Sequence, residues 1–447
     1  MTAREEETLR AWVEAELGGS VGAIRKQDRW RDSWEVDLVR DEKLVPLFAR
    51  GDRNEEFPPD PLEYEAAIIA TLERQGIAVP KIYGICPEPH AIVMDRAPGR
   101  ANLETAVDDA ERVSVLEQLG EIIATMHGLD VGPFVEAGAH MPVTPAEVAL
   151  PYFRSCERLY RKYKSGPEPR IEFFIRWVYR NVPEPPPRLS FLHADPGQFL
   201  FDAGRVTVML DFELAALGDP MMDIAGLRQR SLAEPMGDIR PLLRRYVERT
   251  GRVLDRQRIS YHSAQWLAAS SVLMAGALRN PRPEASYAEY LSWYLGCMLS
   301  ALQALAEFEG FDLPQSQPPI ADRRPSRWAP ALTCLADKFR PRDDGSGGYE
   351  RIVGENLTKF VSSMDSSGRW AEAEYIEDVA GLTGTRPSGW LEADELLERF
   401  VLAAGPEHDR SLAEVFQRWL LRQAGLIEGI YTHPFGRMVP IDELLDL

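Results

Sequence analysis

Apolar positions near the start of the chain change period twice. Leu9, Val13 and Leu17 recur every fourth residue, the spacing of one helical face, and Gly18-Gly19 supplies the stop. Trp34, Val36 and Leu38 then alternate with Glu35 and Asp37, Asp41-Glu42 offers a turn, and a second apolar segment follows at 44–50. Residues 23–51 are therefore predicted to form an antiparallel strand group. Asp60-Pro61 has the cap and first-turn chemistry of a helix start, and that helix is expected to run to Gln75 and stop at Gly76. Two more strands are expected near 81–85 and 91–94.

Helical spacing then dominates 111–128, 146–164 and 168–181, until the prolines between 183 and 187 forbid continuation. Short apolar runs at 189–192, 199–201 and 206–210, separated by polar or glycine-containing turns, predict small strands that present a polar loop. Long helices are expected at 239–250, 257–280 and 285–308. A Pro-rich stretch from 314 to 330 and a Gly-rich break at 343–348 follow, and the remaining residues have the pattern of four or five amphipathic helices.

Composition narrows the partners. The chain has 447 residues, enough for two or three domains, with 45% hydrophobic and 27% charged residues, the balance of ordinary globular protein. Lys plus Arg number 51 against 70 Asp plus Glu, so the net charge of −19 repels nucleic-acid backbones and anionic lipid surfaces, and neither is expected as a partner. The four cysteines form no C-x-x-C pair and read as reduced thiols. The acidic N-terminus lacks the order of a signal peptide, and no run reaches the ~18 apolar residues of a membrane span, so a soluble cytoplasmic protein is expected.

The chemistry concentrates in one stretch: His193-Ala194-Asp195-Pro196-Gly197-Gln198, then Asp211-Phe212-Glu213, then Gly218-Asp219-Pro220 and Asp223. A carboxylate on a tight loop, an amide oxygen three residues on, and a second carboxylate after the next strand suit a site that aligns an attacking hydroxyl and holds magnesium on a nucleotide. Phosphoryl transfer asks for alignment and charge neutralisation more than covalent chemistry, and these groups supply both. G-x-S-x-G, H-E-x-x-H and G-x-x-x-x-G-K-[ST] motifs are all absent.

These residues resemble the H-G-D-x-x-P-G-N and D-x-E…G-D-P-x-x-D motifs of the aminoglycoside phosphotransferase family, small-molecule kinases of the protein-kinase-like fold. The resemblance covers about residues 20–310. It implies an α+β, two-lobed fold with a small antiparallel-sheet N-lobe and a mainly helical C-lobe. It also implies Asp195 as catalytic base, His193 as the scaffold of its loop, and Asp211 as the main magnesium ligand, with Gln198 where the family's Asn meets a second magnesium. Upstream, Arg50 on a strand takes the place of the phosphate-holding Lys or Arg, and Glu65 on the next helix, preferred over Glu63, is its partner. The loop at 28–34 lacks the family's glycines, which leaves Ser33 and arginine side chains for the phosphates. Met94 and Arg96 resemble the hinge whose backbone meets the adenine edge.

Two departures stand out. Asp195 and Gln198 are three positions apart where the kinase signature has five, and Gln replaces Asn. Gln198 accordingly has two readings, a ligand whose extra methylene spans a shortened loop or an amide satisfying loop backbone. Asp219 and Asp223 could cap the helix after Pro220, and His127 is expected to be a half-buried packing residue.

The expected organisation is a nucleotide-binding N-lobe at 1–98, a helical C-lobe at 99–312, a Pro/Gly-rich linker at 313–348 and a helical C-terminal domain at 349–447. The expected function is transfer of a phosphoryl group from ATP, or GTP, with Mg2+, to a hydroxyl of a small molecule. The alternative is a kinase-like nucleotide-binding or scaffold protein with impaired catalysis.

Overall fold

The computed structural model describes residues 3–27, 31–52, 61–230, 232, 234–282, 286–314, 320, 324–340, 348–430 and 438–447. Asp60, residues 28–30 of the loop before the second strand and most of the 343–348 break lie outside them.

Helix α1 (Ala3–Leu17) precedes strands β1 (Ser20–Lys26), β2 (Ser33–Arg40) and β3 (Lys43–Gly51), and α2 (Leu62–Arg74) separates these from β4 (Ile82–Pro87) and β5 (His90–Asp95). The five strands form an antiparallel sheet in the order β1-β2-β3-β5-β4. Strand alternation sorts its side chains onto two faces. Trp34, Val36, Leu38, Leu47, Ala49 and Val93 pack with Leu9 and Val13 of α1, whereas Phe48, Ile92 and Met94 pack with Leu62 and Ala66 of α2. Arg50, two residues beyond Phe48, is thereby directed to the α2 face.

The chain continues through α3 (Asp109–Gly128), α4 (Gly132–Glu136), α5 (Pro145–Ala149), α6 (Pro151–Tyr163) and α7 (Pro169–Arg180). The single helix expected over 146–164 is two, because Pro151 cannot donate the backbone hydrogen bond that continuation requires. Strands β6 (Ser190–Leu192) and β9 (Ala216–Gly218) pair with each other, and between them β7 (Phe199–Asp202) and β8 (Arg205–Met209) form a hairpin. Then come α8 (Met221–Arg230), α9 (Arg240–Thr250), α10 (Arg256–Arg279), α11 (Tyr287–Glu309), α12 (Ala329–Phe339), α13 (Gly348–Thr383), α14 (Trp390–Ala403), α15 (Asp409–Leu426) and α16 (Ile441–Leu444). Helix α12 occupies part of the stretch expected to be linker. No helix among the described residues is long and apolar enough to cross a membrane.

The chain divides into two compact units, and the division differs from the expected one. The first holds 1–151, 183–255 and 442–447, and the second 152–182 and 256–441. The C-terminal helices are not a bundle of their own: within the second unit α14 packs on α7, and α15 on α11. Phe173 of α7 lies 5.3 Å from Phe416 of α15, ring centre to ring centre. Apolar periodicity fixes which face of a helix is buried and is silent on which partner buries it, so helices remote in sequence joined one core without a signal.

Candidate active site

The loop at 193–198 is held from below by α8. The two Asp223 carboxylate oxygens accept backbone N–H groups from His193 at 3.0 Å and Ala194 at 2.8 Å. His193 is itself buried and its Nε2 donates to Leu210 O at 2.8 Å, tying the loop to the end of β8. Ala194, where the resembling motif carries Gly, adopts φ +71°, and Asp211 adopts φ +63°. Left-handed backbone costs a non-glycine residue about 1–2 kcal/mol, so this strain is sustained by the bonds around it.

Asp195, Gln198 and Asp211 lie close to one another. Gln198 Nε2 donates to Asp195 Oδ2 at 3.2 Å, and Leu210 N–H donates to Gln198 O at 2.9 Å, which sets Gln198 beside the residue preceding Asp211. Asp195 is also bound by Arg230 Nη1 at 2.6 Å. Burial pushes the Asp195 carboxyl above the usual carboxylate range, against the opposing pull of Arg230 and His193.

A second cluster surrounds Arg50. Its guanidinium pairs with Glu65 at 3.0 Å, with Glu213 at 3.3 Å and with Asp211. Arg31 joins from just before β2, donating to Gly51 O at 2.7 Å and pairing with Glu213 at 2.6 Å and Glu65 at 3.5 Å. Glu65 occupies the buried stripe of α2 with Leu62, Ala66 and Ile69, whereas Glu63 turns away and meets His90 at 3.0 Å. Burial works to lower the Arg50 affinity for its proton, and Asp211 and Glu65 more than offset it.

The remaining expected residues lie elsewhere in the first unit. Ser33 opens β2 opposite Arg50 and is buried. Met94 lies inside β5, flanked by β3 and β4, so its backbone belongs to the sheet ladder. The Arg96 amide donates to Pro46 O at 3.0 Å, and its guanidinium pairs with Glu35 at 2.6 Å and Asp37 at 3.1 Å.

The phosphotransferase enzyme family model matches residues 38–270, more than half of the chain and all of the 193–198 loop described above. The chain belongs to this family. A solved protein from Ralstonia eutropha JMP134, assigned as an aminoglycoside phosphotransferase, is 17% identical with a TM-score of 0.52, covering 69% of this phosphotransferase and 99% of that chain. The fold is thus α+β and protein-kinase-like. A macrolide 2′-phosphotransferase from Brachybacterium faecium is 18% identical with a TM-score of 0.46, covering 69% and 99% respectively. Acyl-CoA dehydrogenase family member 10 of Mus musculus is 23% identical over 181 residues, which are 37% of this chain and 16% of the mouse protein.

Three contributors to the candidate site were not assigned from sequence. Asp219 does cap α8, accepting from Met221 N–H at 3.0 Å, but Asp223 holds the loop instead. His127 is fully buried and hydrogen-bonded rather than half-buried packing: Nε2 lies 3.1 Å from Asp223 Oδ2 and Nδ1 2.9 Å from the Tyr246 hydroxyl. In the neutral ring this order makes Nε2–H the donor to Asp223 and Tyr246 the donor to Nδ1. Arg230, seven residues after Asp223 on the same helix face, is the third. Only the seven-residue spacing could have flagged it.

Proposed function

We propose that this phosphotransferase moves the γ-phosphoryl group of ATP or GTP to a hydroxyl of a small molecule, with Asp195 as base. The carrying observation is the convergence of Asp195, Gln198 and Asp211 on one loop and the adjoining hairpin, with Arg50 paired to Asp211. Asp195 receives the acceptor proton as the acceptor oxygen bonds to the γ-phosphorus and the bond to the β-phosphate oxygen breaks, releasing the nucleoside diphosphate. Arg50 and Arg31 offset phosphate charge, and Glu65 keeps Arg50 aimed.

The donor set fits magnesium: a carboxylate at Asp211 and an amide oxygen at Gln198 are hard ligands of the kind that substrate phosphates and waters complete. Magnesium there would supply neutralisation of the charge on the transferred group. Asp211 is about a quarter exposed, so the carboxylate is open to solvent as well as to Arg50.

Calorimetry with ATP and with GTP, each with magnesium, tests the nucleotide part, and ATP consumption across a panel of hydroxylated metabolites and antibiotics tests the transfer. Binding of neither nucleotide at millimolar concentration by folded protein refutes the reading. One observation favours a second reading, a nucleotide binder with impaired catalysis: both Asp195 and Asp211 are paired to arginines of the chain itself. Magnesium-dependent turnover decides against it.

A further inference from the structure

Helix α8 presents three residues to the 193–198 loop from one face, at positions 223, 226 and 230, spaced three and four apart. Asp223 takes the loop's backbone N–H groups. Gly226 lets the helix come close: a Cβ there would stand 3.2 Å from both Ala194 O and Pro196 Cδ. Arg230 ends the row, with Nη1 on Asp195 Oδ2 at 2.6 Å and Nη2 on Glu234 at 2.7 Å.

Gly197 explains how the arginine gets there. It has no left-handed backbone to justify a glycine, yet a Cβ at 197 would lie 2.6 Å from Arg230 Cγ and 2.9 Å from Cδ. These are mid-stem atoms of the arginine, flanked by an Nε that is buried and has no hydrogen-bond partner among the described residues. The stem therefore lies across the loop in the space that the missing side chain leaves. Its guanidinium and the Gln198 side-chain amide both donate to the same oxygen, Asp195 Oδ2.

We propose that Arg230 is a positioning residue for phosphoryl transfer, fixing the orientation of the Asp195 carboxylate, and that Gly197 is required because it makes room for the Arg230 stem. This rests on Asp195 being the base. Arg230 touches neither nucleotide nor acceptor in this role. Its loss lowers the rate of the chemical step and leaves the KM for ATP as it was, since a misaimed base weakens the transition state alone.

The test uses Arg230→Met, Arg230→Lys, Gly197→Ala and the double variant Gly197→Ala/Arg230→Met in the full chain. Crystal structures and magnesium-ATP turnover are measured, with the acceptor found by screening or with water. The expected result is a different Asp195 rotamer in Arg230→Met and in Gly197→Ala, a fall in kcat of about 10- to 100-fold in each with KM for ATP unchanged, and partial recovery in Arg230→Lys. The double variant should be no worse than Arg230→Met, because the added methyl then meets no stem. An unmoved Asp195 carboxylate in both single variants overturns the proposal, as does a double variant whose losses simply add. Asp195→Asn is the control: if it keeps full turnover, the assignment of the base has failed, a result separate from any movement of Asp195 in the structures.

Discussion

Each compact unit of this phosphotransferase holds an arginine among acidic partners, and the two surroundings have little else in common. In the second unit Arg170 is 7% exposed, stacks 3.8 Å over the Trp419 ring, and pairs with Asp394 at 3.6 Å. Asp394 is itself held by the Tyr375 hydroxyl at 2.5 Å, and the Arg170 Nε reaches Tyr294 at 3.4 Å. In the first unit Arg50 and Arg31 share two carboxylates, Glu65 and Glu213, and Arg50 also pairs with Asp211, which opens to solvent. Backbone strain separates the two still further. The non-glycine residues with left-handed φ among those described are Asp41, Glu42 and Ala203 in hairpin turns and Ala194 and Asp211 at the site, and all five belong to the first unit. A closed, relaxed network is what a structural charge pair needs; an open, strained one has been kept for a reason other than stability.

The sharpest break of that comparison is at Asp195. Asp195→Asn keeps the size of the side chain and removes the proposed base, so turnover should fall by about 10²–10⁴-fold. Nucleotide affinity should stay within about twofold, because the base contributes to the transition state and little to nucleotide binding. Calorimetry beside steady-state kinetics reads both. Full turnover in the variant would move the base to Asp211 or Glu213.

Matched substitutions then test the two arginines directly. Arg50→Met removes the charge-assisted contact proposed for phosphate, worth about 1.5–3 kcal/mol, and should weaken ATP binding about 10- to 100-fold. Arg170→Met leaves Asp394 buried without its cation and should cost about 3 kcal/mol or more of stability, with ATP affinity and turnover at the wild-type level. Thermal denaturation and calorimetry on the pair settle the contrast. Equal loss of ATP binding in both variants would mean that the open cluster is no more functional than the closed one.

How far sequence could reach follows from where partners sit. Asp195, Gln198 and Asp211 were legible because one loop and one hairpin carry them all. Glu65 could be preferred to Glu63 because the α2 stripe selects it. His127 could not be read as a support of the loop, because its meaning lies in Asp223 and Tyr246, which share a helix with neither it nor each other. Arg230 was invisible for the same reason, since an arginine reads as surface until its carboxylate is known, and Arg31, one of the 28–34 loop arginines left for the phosphates, gave no sign of Glu65 and Glu213 as its partners. Met94 and Arg96 illustrate the reverse. Local resemblance selected them, and the sheet had already taken the Arg96 amide.

The smallest expected effect concerns the shortened loop. Gln198 is fixed in place by its backbone: its N–H donates to Asp195 O at 3.2 Å and its carbonyl accepts from Leu210 N–H at 2.9 Å, while Pro196 locks φ two residues earlier. A shorter side chain at 198 cannot be compensated by moving the loop. If the amide oxygen serves magnesium, Gln198→Asn withdraws it by about 1.5 Å from a cation that tolerates little departure from contacts of ~2.1 Å. The variant should then need several-fold more magnesium for half-maximal turnover, although Asn is the residue that the resembling motif carries, and Gln198→Ala should need more still. The same change also breaks the Nε2 contact to Asp195, which would lower kcat without moving the magnesium requirement. Titrating magnesium at saturating ATP separates the two, and an unchanged requirement in both variants takes Gln198 out of the metal site and leaves it as a brace for the base.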